Sequence, residues 1–222
     1  MKTAAGLSAE LVARQRELAS AVDRNDRLAW PPARVAAVDC AFPERGRLTR
    51  AAAVVVRFPD LVTESQAVAE CPTRLPYTPG LLSFRELPAI LAALARLPAT
   101  PDVVLCDGQG IAHPRRFGVA CHLGVETGLP SVGVGKSRLC GDHPGPGRTR
   151  GSAVALIDRG EEIGKVVRTR TGVRPLYVSI GHRVSLDRAV ELVLACATRY
   201  RLPEPIRAAD RLAAQSSATC SR

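Results

Sequence analysis

Three acids stand where an otherwise apolar sequence makes a carboxylate expensive. Asp39 interrupts the run Val35-Ala36-Ala37-Val38-Asp39-Cys40-Ala41-Phe42, and Asp107 closes Val103-Val104-Leu105-Cys106 just before a glycine-rich loop, Gly108-Gln109-Gly110-Ile111. Glu86 follows Ser83-Phe84-Arg85 at the entrance to a helical pattern. A carboxylate in an apolar strand must be paired, hydrogen-bonded or metal-bound. Carboxylates brought together repel, and a divalent cation makes them tolerable as anions; hard oxygen donors suit Mg²⁺, with Mn²⁺ as the alternative. Such a cation activates water and stabilises the leaving oxygen of a phosphodiester. Singly, each acid has a plainer reading: Asp107 as a turn former before glycine, Glu86 as a helix cap or a partner of Arg85. Together, at these points in the chain, they indicate a metal site. Lys136, at the end of a strand pattern, is either a point charge for a phosphate or a solvated loop lysine.

The elements that must position these groups follow from periodicity. Residues 7–28 space apolar side chains as an amphipathic helix, ended by Pro31-Pro32. Val35–Phe42 reads as a central strand, and Ala51–Phe58 and Val62–Cys71 as antiparallel neighbours. Ser83 and Glu86 have the spacing of a capping box, but Pro88 favours a helix start near Leu87, with the helix running over Pro88–Leu97. Then come a strand at Val103–Cys106, a helix over Arg116–Thr127 and a strand at Ser131–Val134. A hairpin, Ala153–Asp158 with Ile163–Thr169, turns at Arg159-Gly160; strand Leu176–Ile180 and helix Ser185–Tyr200 follow. This is an α/β chain with the order of a ribonuclease-H-like mixed sheet, a β-β-β-α-β-α-β core flanked by helices. One domain is expected over residues 1–222, its core at about 34–213 and a frayed tail at 216–222.

The 222 residues are 46% hydrophobic and 23% charged, enough for one substantial core. Lys and Arg number 31 against 21 Asp and Glu, a net +10 that suits a polyanionic partner or simply solubilises. The 7 cysteines form no CxxC pair, so neither a disulfide framework nor a zinc site is expected, and a reducing cytoplasm fits. No apolar run is long enough to span a membrane. Val132-Gly133-Val134-Gly135-Lys136-Ser137 imitates a phosphate loop, but the first glycine of that motif would fall at Pro130, so no nucleoside triphosphate is expected.

Longer strings of residues carry more information. Pro76-Tyr77-Thr78-Pro79-Gly80-Leu81-Leu82-Ser83-Phe84-Arg85-Glu86 and Asp107-Gly108-Gln109-Gly110-Ile111-Ala112-His113-Pro114-Arg115-Arg116-Phe117-Gly118 resemble the endonuclease V family, the deoxyinosine 3′-endonucleases. So do the segments from Val35, Val132, Tyr177 and Arg201, in family order. The resemblance implies hydrolysis of a phosphodiester 3′ of hypoxanthine, usually at the second bond, with Mg²⁺ as cofactor. The implied substrate is DNA containing deoxyinosine, with inosine in RNA as an alternative. By motif, Asp39, Glu86 and Asp107 correspond to the metal-binding acids, and Asp210 to a further metal-site position that is His or Asp in relatives. Tyr77, stiffened by Pro76 and Pro79, corresponds to an aromatic wedge replacing the flipped base in the stack. Gly80 and the loop Gly108, Gln109, Gly110 and Ile111 correspond to the base pocket. Arg85, His113, Lys136 and His182 would hold or neutralise the phosphate. Against this reading stand a non-catalytic nucleic-acid-binding protein on a nuclease scaffold, and a ribonuclease-H-like nuclease with another substrate.

Overall fold

The structure, a computed structural model, describes residues 4–215. The elements are α1 (Ala4–Ala19), β1 (Arg34–Ala41), a single distorted turn α2 (Pro43–Gly46), β2 (Leu48–Arg57), β3 (Thr63–Pro72), α3 (Leu82–Leu94), β4 (Val103–Cys106) and α4 (Val119–Thr127). Then follow β5 (Ser131–Gly135), β6 (Ala153–Asp158), β7 (Glu161–Val167), β8 (Leu176–His182), α5 (Leu186–Cys196) and α6 (Glu204–Ala214). All strands join one sheet of 8, ordered β3-β2-β1-β4-β5-β8-β7-β6. β4 pairs in parallel with β1 and β5, and every other pairing is antiparallel. This is the ribonuclease-H-like arrangement.

Strand alternation sorts the core into two faces. Val35, Ala37, Val103 and Leu105 pack with α5 and α6 residues such as Leu192 and Ile206, whereas Ala36, Val38, Val104 and Cys106 pack with Leu87 and Ile90 of α3 and Leu123 of α4. Continuing the alternation by one residue puts Asp39 and Asp107 on the α6 side, at the carboxyl ends of two adjacent parallel strands. The ladder between those strands ends with Val38 opposite Cys106, and the Asp107 N–H donates to the Val38 carbonyl at 3.3 Å.

Several helix limits change: α4 begins at Val119 rather than Arg116, and α5 ends at Cys196 rather than Tyr200. The first helix stops at Ala19 rather than near residue 28, because the following segment has better partners in the fold: the Arg27 N–H donates to Arg183 and the Arg183 N–H to Asp23. α3 begins at Leu82, with Pro88 inside it, because Ser83, Glu86, Leu87 and Ile90 share one buried face and that burial outweighs the lost hydrogen bond. Ser83 therefore caps nothing; its hydroxyl meets His122 Nδ1 at 3.1 Å. The hairpin is as expected, with positive φ at Arg159 and Gly160 matching its tight turn. The tail at 216–222 and Cys220 lie outside the described residues; the six cysteines within them are all free. Among the described residues no helix is long and apolar enough to cross a membrane.

Candidate active site

The ends of β1 and β4 bring Asp39 and Asp107 together, and α6 crosses that end of the sheet to add Asp210. One carboxylate oxygen from each lies within 4.8 Å of the others. Burial and the charge of Asp107 push Asp39 well above the usual carboxylate range, and burial likewise raises Asp107 despite its pairing with Lys136. Lys136, one residue past β5, forms an ion pair with Asp107 and stands 4.0 Å from Asp210. Burial opposes its charge, but the Asp107 carboxylate outweighs this and holds the ammonium above its ordinary value. Oxygens ligating one Mg²⁺ stand at most about 4.2 Å apart, given its bond length of roughly 2.1 Å. The three aspartates are therefore near ligating dimensions, and their all-oxygen donor set is the right kind for a hard cation.

Glu86 is outside this group. α3 holds it on the opposite face of the sheet, buried among Val38, Ile90, Cys106 and Val119 beside Asp39 and Asp107. Burial, reinforced by the two aspartates, raises it to about 8. It stands close enough to Asp39 and Asp107 to feel both charges, while Asp210, the fourth acid expected at the site, is the one whose oxygen comes within 4.8 Å of theirs.

Beside the acids opens a cleft of about 290 Å³, with Asp107, Gly108, Gln109 and Lys136 on one wall and Tyr77, Gly80 and Ser83 on the other. Tyr77 is 65% exposed at its rim. The Gln109 side chain donates to the Ser137 carbonyl at 3.0 Å and fills the space above Gly135, where a Cβ would come within 2.2 Å of it. Gly110 and Ile111 are behind the wall instead of in the pocket. Their N–H groups are already committed to Ser179 Oγ at 2.9 Å and the Ile180 carbonyl at 2.8 Å, so they cannot read a base.

The opposite wall depends on residues to which the sequence alone assigned no role. The Gly80 carbonyl accepts from Gln15 Nε2 at 3.0 Å and from Arg115 Nη2 at 2.7 Å, and the His113 ring also bonds to it. Gln15 Nε2 also reaches the Phe117 carbonyl at 2.7 Å, while its Oε1 accepts from Arg115 Nε. Gly80 has φ +77°, and a Cβ there would come 2.5 Å from Arg115 Nη2. One signal for Gln15 was in the sequence: it lies between Leu11 and Leu18 on the apolar stripe of its helix, where an amide needs internal partners.

His113 lines the cleft, while His182, Arg85 and Pro79 do not. His113 is buried and accepts the Arg115 N–H at Nδ1, 3.1 Å away; burial and the Arg115 charge pull it down to about 4, so it is neutral and cannot offset a phosphate charge. His182 pairs across from Ser131 at the far end of β5, roughly 16 Å from Lys136 by strand rise. Its Nδ1 accepts the Asp23 N–H at 3.1 Å, so it braces the N-terminal segment and is not part of the site. Arg85 lies over the Phe42 ring at 4.0 Å, outside the cleft. Pro79 stays in the turn between Tyr77 and Gly80 without lining the cavity.

Known proteins are similar to this chain in sequence and fold. The family model described as endonuclease V matches residues 16–211. Endonuclease V of Alkalilimnicola ehrlichii is 57% identical over 187 residues, 84% of this chain and 82% of its own. The crystal structure of endonuclease V from Streptomyces avermitilis is 45% identical, with TM-score 0.88, over 92% of this chain and 90% of that one. The Ciona intestinalis enzyme, crystallised with a DNA 24mer containing an inosine followed by a ribo-adenosine, is 30% identical, with TM-score 0.83, over 93% of this chain and 96% of that one.

Proposed function

The chain belongs to the endonuclease V family, whose members hydrolyse phosphodiester bonds in DNA, and from that membership we propose that it cuts strands carrying deoxyinosine, with Mg²⁺, on the 3′ side of the lesion and usually at the second bond. The observation that carries this reading is the convergence of Asp39, Asp107, Asp210 and Lys136 beside a cleft rimmed by Tyr77. The inosine-bearing DNA held by the Ciona intestinalis relative supports the choice of lesion.

Asp39, Asp107 and Asp210 would hold the cation, with Glu86, buried beside Asp39 and Asp107, as the further acid of the set. When bound there, Mg²⁺ supplies Lewis-acid charge and a more acidic water. Lys136 sets its ammonium beside Asp107, where it both restrains that carboxylate and meets a phosphate oxygen. Tyr77 fills the gap left in the stack when the lesion is flipped. The cleft beneath it, with Gln109 and the Gly108 backbone on one wall and the pinned Gly80 turn on the other, takes the hypoxanthine. His113, as a neutral imidazole, holds that turn in place.

The test pairs oligonucleotides that differ only in deoxyinosine or deoxyadenosine, with Mg²⁺ or a chelator. The deoxyinosine strand should be cut only with Mg²⁺, and Asp39→Asn and Asp107→Asn should each lower the rate by at least about 10²-fold. Equal cutting of both strands, or undiminished cutting by Asp107→Asn, would overturn the proposal. An inosine-containing RNA in the same assay determines whether a 2′-OH is accepted.

A further inference from the structure

A second cleft, about 560 Å³, opens on the other side of Lys136, which lines both cavities. Its charged walls come from three places in the chain: Arg170 and Arg174 from the β7–β8 loop, Arg201 from the α5–α6 connection, and Arg207 from α6. No acid lines it. Among the described residues none of these four arginines makes an ion pair, in contrast to arginines such as Arg50, Arg57 and Arg116. Arg201 Nε and Arg207 Nη1 are buried donors without an acceptor. Burial and the charge of Arg174 both disfavour the Arg201 cation, so the cluster opposes itself. The Arg207 guanidinium lies over the Tyr200 ring at 3.2 Å, and a cavity lined by four arginines and a lysine with no acid among them is suited to an anion.

The scaffold beneath is firm. Arg168 bonds the carbonyls of Pro146, Gly147 and Val173, closing the β7–β8 loop. Thr169 Oγ1 donates to the Arg201 carbonyl at 2.6 Å, and Arg201 Nη2 donates to the Lys136 carbonyl at 2.8 Å. That last bond couples the cleft to the catalytic lysine. α6 makes a second link, since Arg207 and Asp210 are three residues apart and so lie on neighbouring positions of one helix face.

We propose that this arginine cleft holds the backbone phosphates of the DNA strand on the 3′ side of the bond that is cut. The inference rests on the proposed function, which places the lesion in the first cleft and the scissile phosphate at the aspartates. A strand laid from the first cleft across Lys136 then enters the second cleft beyond the cut. Phosphate contacts of this kind set register and carry no sequence information, consistent with a nuclease that reads one base.

The test uses a duplex with one deoxyinosine and either a long arm 3′ of the cut or an arm ending at the first nucleotide beyond it. Arg170→Gln/Arg174→Gln is the informative variant, because both side chains are exposed and make no hydrogen bond or ion pair among the described residues. On the long arm, binding should weaken by about tenfold, and the dependence of log K on log salt should become shallower by about one for each phosphate no longer neutralised. On the short arm the penalty should fall below about threefold. Arg207→Gln should show the same arm dependence. An equal penalty on both arms, or none on either, would overturn this inference while leaving the deoxyinosine nuclease reading intact. Failure of the unsubstituted protein to prefer deoxyinosine over deoxyadenosine would overturn both.

Discussion

At the residue scale, the site depends on side chains whose surroundings decide their charge. Asp210, exposed on α6, is the most accessible of the three aspartates, so Asp210→Asn should fold normally and raise the Mg²⁺ concentration needed for half-maximal cleavage by roughly 10-fold or more. A magnesium titration of the rate checks this; an unchanged midpoint would remove Asp210 from the metal set. Gln15 touches no acid, yet its amide holds the Gly80 and Phe117 carbonyls. Gln15→Leu takes this donor from the Phe117 carbonyl and the acceptor from Arg115 Nε, at a cost of about 2 kcal/mol, and should lower the melting temperature by about 4–8 °C. Its kinetic effect should fall on KM for the deoxyinosine strand more than on kcat, because it loosens the cleft and not the aspartates. Asp39 and Asp107 were legible in the sequence as isolated acids in apolar strands. Glu86 and His113 were legible as residues, but only the fold shows that the first is buried beside Asp39 and Asp107 and the second is buried and neutral at the Gly80 turn.

At the element scale, the parallel pairing of β1 with β4 makes the site. Two strands in register, each carrying an acid one residue past its last apolar pair, cannot avoid placing those acids side by side. Strand alternation reveals such positions in a sequence, whereas helix limits depend on tertiary contacts that it does not encode locally. Pro88 is the clearest instance: it suggested a helix start near Leu87, but α3 begins at Leu82 because its buried face extends that far. Pro88 itself is exposed, and its ring denies Phe84 a hydrogen-bond donor. Pro88→Ala should therefore raise stability by about 1 kcal/mol, or roughly 2–4 °C in melting temperature, without altering cleavage. A lower melting temperature would mean that the helix needs the proline's bend. Gly80→Ala acts in the opposite sense, since both its φ of +77° and the approach of Arg115 resist a Cβ. Cleavage should fall with little change in the far-ultraviolet spectrum, and full activity would show that the Gly80 turn does not shape the cleft.

At the scale of the whole molecule, three raised carboxylates make the metal-free protein sensitive to pH. Asp39, Asp107 and Glu86 keep their protons in the folded state above the pH at which the unfolded chain releases them, in the case of Glu86 up to about 8. The folded state thus binds more protons across that window, and its stability must fall as pH rises from the ordinary carboxylate range toward 8. A cation held by the aspartates needs them as anions, so its stabilising effect should grow over the same range. Melting temperatures with a chelator should be lower at pH 8 than at pH 5.5, and Mg²⁺ should recover more at the higher pH; the reverse order would contradict the burial of these acids. The net charge of +10 was legible at once, but its concentration into an arginine cleft was not, because Arg170, Arg174, Arg201 and Arg207 meet only through the packing of a loop, a helix connection and a helix.

The most direct measurement of the central claim is the position of the cut. A duplex labelled at its 5′ end and carrying a single deoxyinosine, incubated with Mg²⁺, should yield one labelled product that ends one nucleotide beyond the lesion. Products spread along the strand, or the same product from a deoxyadenosine control, would contradict the account.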